Sequence, residues 1–115
     1  MPLLKLETTA SLTEEKRASV LSTLSRIIAE ALGKPEEYVM VTLHQTSILM
    51  AGKPGDAAFA DIRSIGALND TVNRRLAENI CQALNKSLGI SPNRVYLNFT
   101  DVLAENWGWN SQTFG

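Results

Sequence analysis

Pro2 is the residue of this chain whose position most directly suggests chemistry. It follows Met1 and opens onto the apolar run Leu3-Leu4-Lys5-Leu6. If Met1 is removed, Pro2 carries a free secondary amine, and the reference pKa of an α-amine, roughly 7.7–8.0, makes it a base near neutral pH. The plain alternative is an ordinary proline, since proline makes up about 5% of residues generally.

The composition argues against several kinds of function. With 11 basic and 12 acidic residues among 115, and a net charge of −1, the chain has no basic stripe that could neutralise phosphates, so we expect no nucleic-acid role. Cys81 is the only cysteine and His44 the only histidine. An internal disulfide and a metal site are therefore not predicted. We interpret Cys81, His44 and Met40 as structural.

The sequence also bears on location. No run approaches the roughly 18 apolar residues of a membrane span, and the N-terminus lacks the basic and apolar regions of a secretory signal. We therefore expect no membrane association and, by default, a cytoplasmic protein. Secretion by a non-classical route would leave no mark on these residues.

One structural pattern occurs twice along the chain. Leu32-Gly33-Lys34-Pro35 and Leu88-Gly89-Ile90-Ser91-Pro92 each read as the end of a helix, a glycine suited to the left-handed C′ position, and a turn that proline prevents from continuing as helix. Apolar spacing of i, i+3, i+4 and i+7 predicts the preceding helices at 12–32 and 69–88. Strands are predicted at 2–8, 38–45, 57–64 and 94–101.

These elements predict a single α+β domain over residues 1–115. Two β-α-β repeats, about 2–50 and 57–105, would share a four-stranded mixed sheet with both helices on one face. The strands carry apolar residues on both sides, among them Met40, Val41, Tyr96 and Leu97, which predicts a sheet buried on both faces. We therefore expect copies of the chain to cover the second face in a closed homo-oligomer.

The C-terminal tail, residues 106–115, holds both tryptophans, Trp107 and Trp109. It is too short for an independent element, yet large aromatic side chains favour burial. We expect it to pack on a neighbouring subunit or at the rim of a pocket.

Several short motifs, in this order and spacing, resemble the macrophage migration inhibitory factor family of the tautomerase superfamily. The resemblance implies a homotrimer with active sites at the subunit interfaces. It also implies keto–enol tautomerisation of phenylpyruvate-type α-keto acids, with Pro2 as the base and no cofactor. The motifs are Pro2 after Met1, Gly33-Lys34-Pro35, Ser64-Ile65-Gly66, the stretch from Ile90 to Asn98, and Gly108-Trp109-Asn110-Ser111-Gln112-Thr113-Phe114.

The resemblance assigns roles to individual residues. Lys34 and the backbone N–H of Ile65 would bind the substrate carboxylate. Tyr96 and Asn98 would enter the site from the adjacent subunit. The other expected substrate-binding residues are the aromatic ones near the pocket: Trp109, Phe114 and, at the rim, Tyr38.

The chemistry agrees with these roles. Tautomerisation moves a proton from carbon to oxygen, which suits a base of near-neutral pKa. Burial and the nearby Lys34 cation would hold down the pKa of the Pro2 amine by disfavouring its charged form. Lys34 could also stabilise the negative charge that develops on an enolate.

Each of these residues also has a plainer explanation. Lys34 follows a helix-ending glycine, where a cation complements the helix C-terminus. Tyr96 could belong to the core, and the two tail aromatics could serve only in interface packing. Asn98 is harder to explain in this way, because an amide in an apolar strand needs partners.

The chain departs from the family pattern in one respect. Many animal members carry a Cys-x-x-Cys pair linked to thiol oxidoreductase activity, whereas residues 57–60 here are Ala57-Ala58-Phe59-Ala60, so we expect no such activity. Tyr96 and Asn98 favour the migration inhibitory factor branch over the dopachrome tautomerase branch and leave dopachrome activity open. The alternatives are a cytokine-like protein that binds a receptor not identifiable from the sequence, and a fold without relevant turnover.

Overall fold

A computed structural model describes all residues from Met1 to Gly115. Its elements follow the order that the repeat predicts, with a small hairpin added in the tail. They are β1 (Pro2–Thr8), α1 (Glu14–Leu32), β2 (Met40–Gln45), β3 (Ala58–Ser64), α2 (Asp70–Leu88), β4 (Val95–Asp101), β5 (Gly108–Trp109) and β6 (Gln112–Thr113). No helix has both the length and the apolar character needed to cross a membrane.

The four long strands form one mixed sheet in the order β2-β1-β3-β4. Strand β1 runs parallel to β2, and β3 runs parallel to β4, as β-α-β crossovers require. The two repeats meet where β1 and β3 pair antiparallel. The predicted mixed sheet is confirmed, and this junction brings the start of β1 next to the end of β3.

The helices begin slightly later than predicted because polar side chains cap them. Thr13 Oγ1 accepts a hydrogen bond from the Lys16 N–H at 3.1 Å, and Asn69 Oδ1 accepts one from the Val72 N–H at 2.9 Å. Both helices end at the predicted glycines, Gly33 and Gly89, which adopt the left-handed conformation. Strand β2 starts at residue 40, not 38, because residues 36–38 form a 3-10 turn.

Both helices pack on the same face of the sheet, as predicted. The strands present every second residue to them, and these residues join one apolar core with the inner faces of α1 and α2. Its most deeply buried members are Leu4, Leu6, Leu24, Ile28, Ala60, Ile62, Leu76, Ile80, Leu84 and Ile90.

The opposite face of the sheet, called the open face below, is more polar than expected. Charged and polar residues alternate with the core residues on all four strands, and Arg63 forms an ion pair with Asp61 at 2.9 Å. The predicted apolar residues Met40 and Tyr96 do lie on this face, but most of their neighbours are polar or charged, and burial of the face by copies of the chain stays a prediction. Its residues are Leu3, Lys5, Glu7, Met40, Thr42, His44, Phe59, Asp61, Arg63, Tyr96, Asn98 and Thr100.

The tail has secondary structure that the sequence reasoning missed. Strands β5 and β6 pair antiparallel through a two-residue turn, in which Asn110 and Ser111 both have positive φ, as a type I′ turn requires. The Phe114 N–H donates to the Trp107 carbonyl at 3.1 Å and closes the base of the hairpin. The short tail is therefore an ordered element.

Candidate active site

Pro2 begins β1, an inner strand of the sheet, and its ring lies on the buried, helix-facing side. A proline has no N–H to donate to a neighbouring strand. An inner strand therefore tolerates a proline at its first residue, as here. Its partner across the antiparallel junction is Ser64, while the next residue, Leu3, pairs with Met40 of β2. The candidate base therefore lies at one end of the sheet, between β2 and β3.

Lys34 reaches this end of the sheet from the end of α1. Gly33 turns the chain with φ 63° and ψ 34°, and the Lys34 backbone N–H donates to the Ala29 carbonyl at 3.1 Å. The Lys34 Nζ donates to the carbonyl oxygen of Ile65 at 2.8 Å. An ammonium has three donors, so this contact leaves two that could bind an anion.

The electrostatics at this point disfavour a second positive charge. The pKa of the Met1 α-amine is lowered from its ordinary value of 8.0, first by burial and then by the charge and hydrogen bonding of Lys34. Both causes disfavour the protonated amine. A base placed here is therefore available at lower pH than a free amine in water.

A cavity of about 320 Å³ opens beside Pro2. Most of its wall is apolar, which suits an aromatic or aliphatic group more than a polar one. The lining residues are Met1, Pro2, Leu3, Tyr38, Met40, Trp107, Gly108 and Trp109. Two larger and more polar cavities, at residues 45–48 and between the two helices, contain none of the predicted site residues.

The tail hairpin supplies the aromatic side of this cavity. Trp109 lines it and stacks on Phe114, with ring centroids 6.2 Å apart and an interplanar angle of 11°. Phe114 does not line the cavity, so its direct contact is with Trp109. Tyr38 lies in the wall, at the end of the 3-10 turn that follows Lys34.

Five of the eight lining residues were not among the predicted site residues: Met1, Leu3, Met40, Trp107 and Gly108. Met40, interpreted as structural, is 62% exposed and lies in the cavity wall, in register with Leu3. Trp107 lines the same cavity, two residues before Trp109. Alternation along an extended tail could have indicated Trp107, but the place of Met40 depends on the strand register.

Tyr96 and Asn98 do not join Pro2 within one chain. Both are exposed on the open face of β4, where Asn98 is level with Asp61 and Tyr96 with Phe59. Phe59 in turn pairs with Glu7, about 17 Å along β1 from Pro2. The structure thus brings five predicted residues to the same end of the sheet: Pro2, Lys34, Ile65, Tyr38 and Trp109. It leaves Tyr96 and Asn98 apart from them.

No three His, Cys, Asp or Glu side chains gather into a group that could hold a metal ion. His44 is exposed on the open face, opposite Glu7. Cys81 is partly buried against the core, and burial raises the pKa of its thiol.

Comparison with known proteins agrees with the fold described above. The family model described as "Macrophage migration inhibitory factor (MIF)" matches residues 1–115. The chain belongs to the macrophage migration inhibitory factor family.

Relatives of the migration inhibitory factor family agree along nearly the full length. The macrophage migration inhibitory factor of Rattus norvegicus is 37% identical over 107 residues, which cover 89% of this chain and 93% of the relative. The crystal structure of the migration inhibitory factor-like protein of Entamoeba histolytica has a TM-score of 0.95 at 31% identity, covering 98% of both chains. The homologue from Prochlorococcus marinus gives 0.92 at 35% identity, over 98% of this chain and 99% of that one.

Proposed function

We propose that this family member is a tautomerase of phenylpyruvate-type α-keto acids, with Pro2 as the general base after removal of Met1. The observation that carries the proposal is the Lys34 ammonium, held at 2.8 Å on the Ile65 carbonyl beside the chain terminus and the apolar cavity. This arrangement combines a base, a cation and an apolar wall. An aryl keto acid offers a complementary group to each.

The proposed reaction begins with binding of the substrate carboxylate. Lys34 binds it with its free donors, helped by the Ile65 backbone N–H, and the aryl group enters the cavity beside Tyr38 and Trp109. The neutral Pro2 amine then takes a proton from the carbon next to the carbonyl. The electron pair of the broken C–H bond moves to form an enolate. The proton taken up by Pro2 is then passed to the enolate oxygen, which gives the enol and restores the neutral amine. The Lys34 charge stabilises the enolate before that proton arrives.

Assembly belongs to the same proposal. Large apolar side chains remain exposed in the single chain, among them Met40, Tyr96 and Leu49 at 62%, 68% and 70%. A closed homotrimer would cover such surface. It could also bring Tyr96 and Asn98 of one subunit to the Pro2 site of the next, which a single chain does not achieve.

The test compares turnover of phenylpyruvate by three proteins: the Met1-free chain, its Pro2→Gly variant, and the Met1-retaining chain. We expect activity in the first and a large loss in the other two, because glycine has a primary amine with freer geometry and an attached Met1 makes Pro2 a tertiary amide. Intact mass identifies the state of Met1 in each sample. Equal turnover in all three would rule out Pro2 as the base.

A second candidate function rests on the names of the relatives, which describe inhibition of macrophage migration. A cytokine-like role would use the surface of the assembly and not the proton transfer. A cell-migration assay with the Pro2→Gly variant separates the two functions. Migration inhibition that survives the loss of turnover would assign that function to the surface.

A further inference from the structure

Ser64, the last residue of β3, has a buried hydroxyl with no partner. The residue is fully buried, and its Oγ makes no hydrogen bond. Its backbone carbonyl is satisfied, since it accepts the Val102 N–H at 2.9 Å. Buried polar side-chain atoms nearly always have a partner, and leaving one without is costly. The hydroxyl therefore indicates a group that is missing from the unprocessed, single chain.

The location of this hydroxyl suggests what the missing group is. Ser64 is the direct partner of Pro2 across the β1–β3 junction. The Thr9 N–H bonds the Ala57 carbonyl at 3.2 Å at the far end of this pair. Hydrogen-bonded and non-hydrogen-bonded residue pairs alternate along an antiparallel ladder. Counted from Thr9 and Ala57, Pro2 and Ser64 form a non-hydrogen-bonded pair, in which side chains come closest. Both side chains lie on the helix-facing side, where directly opposed Cβ atoms are about 4.5–5.5 Å apart.

We propose that Ser64 is a positioning residue, whose hydroxyl accepts a hydrogen bond from the Pro2 amine once Met1 has been removed. The inference rests on the proposed function, in which Pro2 is a free amine. While Met1 is attached, the Pro2 nitrogen carries no hydrogen, and the hydroxyl has nothing to accept from it. Removal of Met1 creates N–H donors beside the one buried hydroxyl that lacks a partner.

The bond has two consequences for a catalytic amine. It restrains the pyrrolidine ring from the β3 side, so that the nitrogen lone pair keeps one direction. It also favours the protonated amine, because hydrogen bonds from a charged donor are the stronger ones. Ser64 thus opposes the lowering of the amine pKa that burial and Lys34 cause at the chain terminus.

Thr8 provides a matched control for Ser64. It is the other fully buried hydroxyl residue of the β1–β3 pair, at the opposite end, but its Oγ1 is already bonded to the Ala57 carbonyl at 3.1 Å. The experiment compares Ser64→Ala with Thr8→Val in the Met1-free protein. An NMR titration of the Pro2 ring measures the pKa of the amine directly, without any need for turnover.

We expect Ser64→Ala to lower the pKa of the Pro2 amine by about one pH unit, and Thr8→Val to leave it unchanged. The acid limb of the phenylpyruvate pH–rate profile should move by the same amount in Ser64→Ala. An unchanged pKa in Ser64→Ala would overturn the inference. That result would show that the Ser64 hydroxyl does not bond the amine.

Thermal unfolding in both processing states is a second measurement. In the Met1-retaining protein, Ser64→Ala should be at least as stable as the parent, because it removes an unpaired buried hydroxyl. In the Met1-free protein, the same substitution should lower the melting temperature. Equal effects in the two states would contradict the inference. A pKa that moves in a protein without turnover would support the role of Ser64 while rejecting the proposed function.

Discussion

The ammonium of Lys34 donates to the carbonyl oxygen of Ile65 at 2.8 Å, which links the end of the first helix to the residue after β3. The two residues are 31 positions apart and belong to different repeats. One repeat alone cannot form this site. Pro2 and Lys34 belong to the first repeat, whereas Ile65 belongs to the second and follows β3, the strand whose last residue pairs with Pro2. The candidate site therefore contains residues of both repeats.

Lys34→Ala should reduce kcat/KM for phenylpyruvate by about 10- to 100-fold, the loss expected for a hydrogen bond to a charged group. Lys34→Arg should recover part of it, because the charge is kept while the donor geometry changes. Steady-state kinetics with folded, oligomeric protein are the measurement. Unchanged kinetics in Lys34→Ala would leave Lys34 with only its role at the helix C-terminus.

The two helix-ending glycines allow a controlled test of how Lys34 is positioned. Gly33 and Gly89 have φ of 63° and 69°, and a Cβ added at either would meet no atom within 4 Å. Alanine at each should therefore cost a similar backbone strain, about 1–2 kcal/mol, measurable by urea unfolding. Only Gly33→Ala should also reduce turnover, because only Gly33 precedes Lys34. Equal turnover in the two variants would contradict this.

The pH dependence follows from the environment of the amine. Burial and Lys34 lower the pKa of the Met1 amine from 8.0. We expect the same two causes to act on the Pro2 amine once Met1 is removed, so the acid limb of the kcat/KM profile should have its midpoint below 8.0. Lys34→Ala should move that midpoint upward, since it removes a cation that disfavours protonation. A profile measured from pH 5 to 9 checks both statements. A midpoint above 8.0 in the parent protein would contradict them.

The same shift predicts how stability depends on pH in the Met1-retaining chain. The folded-state pKa of the amine lies below the unfolded value, so the unfolded chain binds more protons between the two. Stability should therefore be fully present above pH 8.0 and be lost as pH falls through the folded pKa. Unfolding midpoints should rise with pH in this window, and acetylation of the amine should remove that rise.

The mixed-subunit prediction tests assembly. Pro2→Gly and Asn98→Ala subunits should each be inactive alone, but after joint refolding about one quarter of the sites would combine an intact Pro2 with an intact neighbouring Asn98. Recovery of about a quarter of parental activity is expected. No recovery, despite mixed oligomers detected by native mass spectrometry, would place both residues in the same subunit's site.

The single thiol of the chain, that of Cys81, should be unreactive. Cys81 is partly buried, and burial raises its pKa, which lowers the thiolate fraction at neutral pH. We expect slow labelling by iodoacetamide and no reduction of insulin with a dithiol donor. Turnover above that of a Cys81→Ser control would contradict this expectation.

Much of the fold was predictable because the determinants are local. Apolar spacing located both helices, and Gly33 and Gly89 located their ends, since helix termination depends on the conformation of one or two residues. The starts of helices and strands were less predictable from the sequence. Thr13 caps α1 and so delays its first residue, and the 3-10 turn at residues 36–38 delays the start of β2. The tail hairpin was missed because a type I′ turn with Asn110 and Ser111 lacks the usual glycine.

The sequence by itself determined the β-α-β repeats, their shared mixed sheet, and which residues could serve the proposed tautomerisation. Only the tertiary structure decided which of them meet. It joined Lys34 to Ile65, set Met40 and Trp107 beside Pro2, paired Ser64 with Pro2 across the β1–β3 junction, and left Tyr96 and Asn98 on the open face. The physical reason is register: a strand shifted by one residue keeps its composition, but every side chain changes face.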